Sequence, residues 1–204
     1  MENEQLYRVA LVALYLLFHA LRGHFAQGVL RTGGKVFSKR DDDTHEGRLH
    51  SSAGLLMEII LPLSVIVYAV YPAWVARLAL PFPQLVRLLG VGLCLVSLVQ
   101  LVRVHRALGR HWSASLRLRD DHRLVTEGPY RRVRHPMYTA LIGNMLGLCL
   151  MSANLLIIVP RLVQIFLLLL RMGKEESMML SRFGEEYRSY MARSGRLFPP
   201  PHAR

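Results

Sequence analysis

The sequence predicts an all-α integral membrane fold with five transmembrane helices, and three observations carry that prediction. The chain has 204 residues, of which 52% are hydrophobic, and a mean hydropathy of +0.26. Its net charge is nevertheless +12, from 26 Lys and Arg against 14 Asp and Glu. The basic residues alternate with the apolar runs along the chain. Apolar bulk excludes a disordered chain, which needs low hydrophobicity. It also argues against a soluble nucleic-acid binder. Membrane helices joined by basic loops satisfy both numbers together.

Five spans follow, at about 6–22, 53–71, 85–104, 137–151 and 155–171. A hydrocarbon core of ~30 Å needs roughly 20 helical residues. The second and third runs meet that length, and the others reach it when flanking residues join the helix. The runs are Leu-rich, long and not alternating, which disfavours strands. Only Ser152, Ala153 and Asn154 separate the fourth run from the fifth. So short a polar connection predicts a helical hairpin.

The basic residues give an independent topology. Arg8 stands near the start of the first run, and six Lys and Arg follow between Arg22 and Arg48. Arg77 and Arg87 flank the next turn, nine basic residues fall from Arg103 to Arg134, Arg161 lies inside the last run, and seven run from Arg171 to Arg204. Heavy and light segments alternate strictly. Basic loops stay cytoplasmic, so the N-terminus is expected outside and the C-terminus inside. Most of the +12 is then topology and attraction to anionic headgroups. The loops lack the interleaved aromatics that stack on bases, so no nucleic-acid partner is expected.

Cys94 and Cys149 sit in apolar runs and read as small packed hydrophobes. None of the nine histidines falls in HxxxH or HExxH spacing, so no metal is expected. Glu2 and Glu4 precede the first run where a signal peptide carries a basic region, so no cleavable signal is expected.

Chemistry is expected in two segments, 103–136 and 172–204. The first is too long for a plain helix connector. It passes through the turn Gly128-Pro129-Tyr130 and ends in Arg134-His135-Pro136-Met137-Tyr138, opening the fourth helix. Pro136 suits a first helical turn and forces His135 out of helical geometry. The expectation is a positive helix end with free N–H groups, suited to an anion. In the second segment Arg171 closes the fifth span and Glu175 follows four residues later, on the same face if the helix continues. Met178, Met179, Phe183, Tyr187 and Met191 recur at near-helical spacing, an amphipathic face turned to the bundle or the headgroups. Arg161, in the last span, is expected to snorkel outward. Glu58, near the end of the second span, is an intramembrane acid without an assigned role.

HRLVTEGPYRRVRHPMY (122–138) and KEESMMLSRFGEEYRSYMARSGRLFP (174–199) resemble the isoprenylcysteine carboxyl methyltransferase family. LGRHWSAS (108–115) resembles its prokaryotic members. The likeness covers about the last 100 residues. The resemblance implies a membrane enzyme that uses S-adenosyl-L-methionine, bound by a cytoplasmic loop and a C-terminal amphipathic helix. It carries cofactor contacts onto His122, Arg123, Leu124, Val125, Tyr130, His135, Pro136, Met137, Tyr138 and Glu175. It makes Arg171 the substrate-binding and catalytic arginine. The implied reaction is O-methylation of the α-carboxylate of an isoprenylated cysteine or similar lipophilic acceptor entering from the bilayer. A carboxylate is already ionised at neutral pH, so no base is required. Shorter than eukaryotic members, the chain reads as a prokaryotic, inner-membrane type. Alternatives are a methyltransferase acting on a phospholipid amine or small thiol, an NADPH-dependent sterol-type reductase, and a structural membrane protein without catalysis.

Overall fold

The computed structural model describes residues 2–31, 48–108 and 124–201. Six α-helices order the chain: α1 Glu2–Arg31, α2 Arg48–Val70, α3 Pro72–Val75, α4 Gln84–Leu108, α5 Pro136–Ser152 and α6 Leu155–Arg193. Among the described residues there is no extended strand, only isolated bridges. Four helices, α1, α2, α4 and α6, are long and apolar enough to cross a membrane, and α5 is a shorter apolar helix of 17 residues.

The burial pattern suits lipid. Leu6, Val9, Leu16, Ile59, Ile66, Leu85, Val96, Val99, Leu162 and Phe166 all face outward. Inside lie polar groups, among them Ser64, Ser97, Asn144 and Arg161. Helices satisfy their own backbone in hydrocarbon, so apolar side chains are free to point out. On α1 the buried residues Tyr7, Leu11, Leu14 and Phe18 repeat at spacings of four, three and four. That stripe is one helix face, and it packs on Val65, Leu98, Leu101, Leu148 and Ile157.

Small residues bring α4 and α5 together. A Cβ on Gly147 would stand 2.5 Å from the Cys94 sulfur and 2.8 Å from the Gly90 carbonyl oxygen. A Cβ on Gly90 would stand 2.6 Å from the Met151 nitrogen. Gly143 and Gly147, four apart, meet Ser97 and Cys94. This is the close small-residue packing that replaces hydrophobic driving force in lipid. Gly147→Leu is expected to destabilise by about 3 kcal/mol, toward the upper range for overpacking. The loss shows as a lower midpoint of thermal unfolding in detergent.

The expected hairpin is present. Ala153 ends α5 with φ 47°, a left-handed cap. Asn154 caps α6 by accepting from the Leu156 N–H at 3.1 Å, while its own amide donates to the Val75 carbonyl at 2.9 Å. At this end of the bundle Arg87 donates from Nε to the Met151 carbonyl at 2.9 Å, pairs with Glu4 and lies 4.0 Å from the Tyr7 ring centroid. Tyr68 also donates to Glu4, at 3.2 Å.

One expectation changes. Arg161 does not snorkel. It is buried, donating to the Ser64 hydroxyl at 3.3 Å and the Ile157 carbonyl at 3.2 Å. Ile157, Arg161 and Leu168 lie on one helical face, the one α6 turns inward. A long side chain reaches water only from an outward face. The helix of the last span continues past Arg171 into the tail, and its interruption comes at Gly184, with φ 50° and ψ −120°. Of the twenty residues only glycine adopts that backbone without strain. From Leu155 to that kink the helix has about 29 residues, roughly 44 Å, longer than the ~30 Å hydrocarbon core, and its apolar run ends at Leu170.

Candidate functional site

Opposite the Asn154 hairpin, the start of α5 meets the later half of α6. The two segments singled out from the sequence converge there. His135 is the residue before α5 and Pro136 its first, as expected. The tail beyond α6 runs back beside them. The Arg134 N–H donates to the Gly195 carbonyl at 2.8 Å and the His135 N–H to the Arg196 carbonyl at 3.1 Å. The Gly195 N–H donates to the Arg132 carbonyl at 2.9 Å, and the Thr139 hydroxyl to the Leu197 carbonyl at 2.8 Å. Of the N–H groups near the start of α5, those of Arg134 and His135 are therefore taken by the chain itself. Backbone pairing of this kind follows from the cost of leaving buried N–H groups unmet.

Two neighbouring glutamates divide the work. The Tyr138 hydroxyl donates to Glu175 Oε2 at 2.8 Å, and the Arg171 guanidinium faces the same hydroxyl. Tyr138, Arg171 and Glu175 are thus one group, built from α5 and from successive turns of α6. Burial, then the Glu175 carboxylate, pushes the Tyr130 phenol above its ordinary range. The Tyr130 backbone is held by the buried Tyr190, whose hydroxyl donates to the Tyr130 carbonyl at 2.6 Å. Met137 is half-buried against the core, and Leu124 and Val125 are half-buried on the approach to the Gly128–Arg131 turn. His122 and Arg123 lie outside the described residues.

Glu176 is the hub that sequence reasoning missed. Its Oε1 accepts from Arg134 Nε at 3.1 Å and lies 3.2 Å from His135 Nε2. Its Oε2 pairs with Arg196 at 3.0 Å. Arg134 further donates to the carbonyls of Met191 and Ser194. Two arginines and a histidine around one acid clamp the tail to the start of α5. The signal was present as the adjacent pair Glu175-Glu176 opposite Arg134-His135, but spacing along the chain does not say which acid meets which base. Tyr187, also unassigned, is buried beside the glutamate pair.

Burial by itself would raise the Glu176 carboxyl, but hydrogen bonds from His135 and Arg134 outweigh it and hold the group at about 2, against an ordinary 4.5. A carboxyl depressed in the folded state stabilises fully above about pH 4.5, and that stability fades as pH falls toward 2. The expected result is that acid loosens the tail over that window, read by hydrogen exchange of residues 185–198. Glu176→Gln should remove the pH dependence and leave the tail loosened at every pH.

Among the described residues no group of His, Cys, Asp and Glu is arranged to hold a metal. Cys94 and Cys149 are free and buried, far along their helices from this cluster.

The comparisons bear on this region directly. The model of the isoprenylcysteine carboxyl methyltransferase (ICMT) family matches residues 89–181, from α4 through the glutamate pair. The chain is also similar to a solved structure of the eukaryotic intramembrane Ras methyltransferase ICMT, determined without a monobody. The TM-score is 0.51 at 23% identity, over 80% of this chain and 54% of that one. This chain therefore spans about half the length of that protein, and the likeness is one of fold. Among curated proteins none matches the sequence. The matched segment holds the start of α5, the hairpin and the Arg171–Glu176 turn, so it is the part of the chain that carries both motifs that is similar to the isoprenylcysteine carboxyl methyltransferase family.

Proposed function

We propose that the chain is an S-adenosyl-L-methionine-dependent O-methyltransferase acting, at the membrane surface, on the carboxylate of an isoprenylated cysteine or similar lipophilic acid. The observation that carries this reading is the Tyr138–Glu175 contact at 2.8 Å beside Arg171. It joins the two motif segments into one site at one end of an apolar bundle.

The residues suit the cofactor chemically. Glu175, fixed by Tyr138, offers a carboxylate to hydroxyls or an ammonium group, where charge-assisted hydrogen bonds are strongest. Tyr130, Leu124, Val125 and Met137 offer apolar surface for a flat base, and His135 with Pro136 sets the start of the helix beneath. His122 and Arg123 complete the proposed set. When bound, the cofactor supplies an electrophilic methyl group on a sulfonium.

Arg171 then orients the acceptor. A guanidinium presents two parallel N–H groups to a carboxylate, which holds one oxygen in line for transfer. The bound cofactor would supply its methyl group to that oxygen, and Arg171 would hold the acceptor in place for it. Opposite charges disappear as the bond forms, so positioning and exclusion of water supply the rate, more than charge stabilisation. No proton moves. An amine or thiol acceptor would need a base, and the nearby His135 has its Nε2 engaged with Glu176.

In this reading all five apolar helices lie in the bilayer, the N-terminus is outside, and the site end with its basic segments faces the cytoplasm. The lipid chain of the acceptor enters from the bilayer. The test incubates detergent-purified protein with methyl-labelled cofactor and N-acetyl-S-farnesylcysteine. A base-labile methyl ester is expected. Cofactor binding without any ester would remove the acceptor from the proposal, and preferential binding of NADPH would remove the reaction.

A further inference from the structure

Phe198 stands in the tail beyond α6 and is 73% exposed. Leu85 at 68% and Leu6 at 67% are nearly as exposed, but they lie on α4 and α1, where lipid accounts for them. Phe198 belongs to no span, yet the fold holds it at the edge of one. The Thr139 hydroxyl, in the first turn of α5, donates to the carbonyl of the neighbouring Leu197 at 2.8 Å. The Leu197 side chain packs inward against the cluster of Tyr138, Leu168 and Met172. Leu168 and Met172 bracket Leu170, where the apolar run of α6 ends. The tail therefore returns to the level at which the hydrocarbon core stops. Leu169 and Leu170 are exposed at that same level. A tight turn fixes the ring there. A Cβ on Gly195 would overlap the Phe198 carbonyl, and the Gly195 N–H and carbonyl are both bonded to the segment before α5. Arg193 and Arg196, both exposed, precede the ring. An aromatic side chain with arginines beside it, at the end of a span, has the composition of a membrane–water interface.

We propose that Phe198 is an interfacial anchor, a ring that sinks among the phospholipid headgroups of the bilayer the bundle crosses and so pins the tail against α5. The inference needs the bundle to lie in a bilayer. It needs neither the cofactor nor the acceptor assigned above. The level of the ring favours lipid over a protein partner, because the exposed side chains at that height are the leucines of a span. Its consequence is that bilayer contact helps to close the clamp around Glu176. Arg196, which pairs with that acid, lies two residues from the ring.

The test places a nitroxide spin label on Phe198→Cys in the full chain, in nanodiscs of phosphatidylcholine and phosphatidylglycerol. Cys94 and Cys149 are buried, and the unsubstituted chain carried through the same labelling gives the background. Collisions with oxygen, which partitions into lipid, are compared with collisions with a water-soluble nickel chelate. Two exposed sites on α6 calibrate the ratio: Phe166→Cys within the span, and Ser181→Cys, about 16 Å along the helix beyond Leu170. The label at Phe198 is expected to fall between them, above the Ser181 value. A ratio equal to that at Ser181 overturns the proposal and leaves the ring in water or for a protein partner. A second measurement needs no label. In Phe198→Ser, the amides of Arg134, His135 and Gly195, which bond the tail to the start of α5, should exchange hydrogen about three- to tenfold faster than in wild type, the size of a partly buried ring lost. Phe198→Trp, which keeps an interfacial aromatic, should stay near wild type. Unchanged exchange in Phe198→Ser, or equal loosening in both variants, overturns the anchor.

Discussion

Glu175→Ala is expected to weaken S-adenosylhomocysteine binding by about 100-fold, measured by isothermal titration on protein in detergent. A carboxylate that accepts two hydrogen bonds from a bound ligand contributes about 3 kcal/mol, and every 1.4 kcal/mol is tenfold. Expression and thermal midpoint should change little, because the residue is half-buried and its contact is to Tyr138. Removing that contact instead, in Tyr138→Phe, leaves the carboxylate in place but unfixed. A loss of about three- to tenfold is expected, the worth of one orienting hydrogen bond. The contrast separates a residue that touches the cofactor from one that positions it. Equal binding in wild type and Glu175→Ala would refute the proposed cofactor site. A loss in Glu176→Ala alone would move it to the neighbouring acid.

Arg171→Ala carries the other large expectation. It should lower kcat/KM for N-acetyl-S-farnesylcysteine by about a thousandfold, since a carboxylate free to rotate loses most of the benefit of held geometry. Arg171→Lys should recover part of it, because an ammonium keeps the charge but not the parallel pair of donors. Affinity for S-adenosylhomocysteine should stay within about threefold, which is the readout that a collapsed site would not preserve. Turnover of Arg171→Ala near that of wild type would exclude the arginine from the reaction.

Much of this architecture was legible from hydropathy. The five apolar runs appear as α1, α2, α4, α5 and α6, because a Leu-rich stretch that must bury its own backbone has little option but helix. The hairpin at Asn154 was legible because a connection of three residues, Ser152, Ala153 and Asn154, leaves no room for another arrangement. His135 and Pro136 were placed correctly at the start of α5, since a proline can begin a helix but not continue one from behind. Arg171 and Glu175 were expected on one face, and the unbroken α6 puts them there.

Arg161 went the other way. Composition alone made outward snorkelling the natural expectation, and the helix orientation reversed it. The face shared with Ile157 and Leu168 turns inward, where Ser64 lies ready to accept. The interruption of α6 at Gly184 was not legible, because a glycine in a helix and a glycine at φ 50° look alike in a sequence. Gly173 stays helical while Gly184 breaks.

The amino-acid sequence by itself determined what each segment of this protein is. Helical periods, apolar length, basic loops and the motif residues are local properties, set by backbone hydrogen bonding, by transfer to lipid and by side-chain type. Which acid meets which base was decided only by the tertiary structure. Glu175 and Glu176 are neighbours with nearly equal chemistry. Yet helical rotation of about 100° per residue sends one to Tyr138 and the other to Arg134, His135 and Arg196.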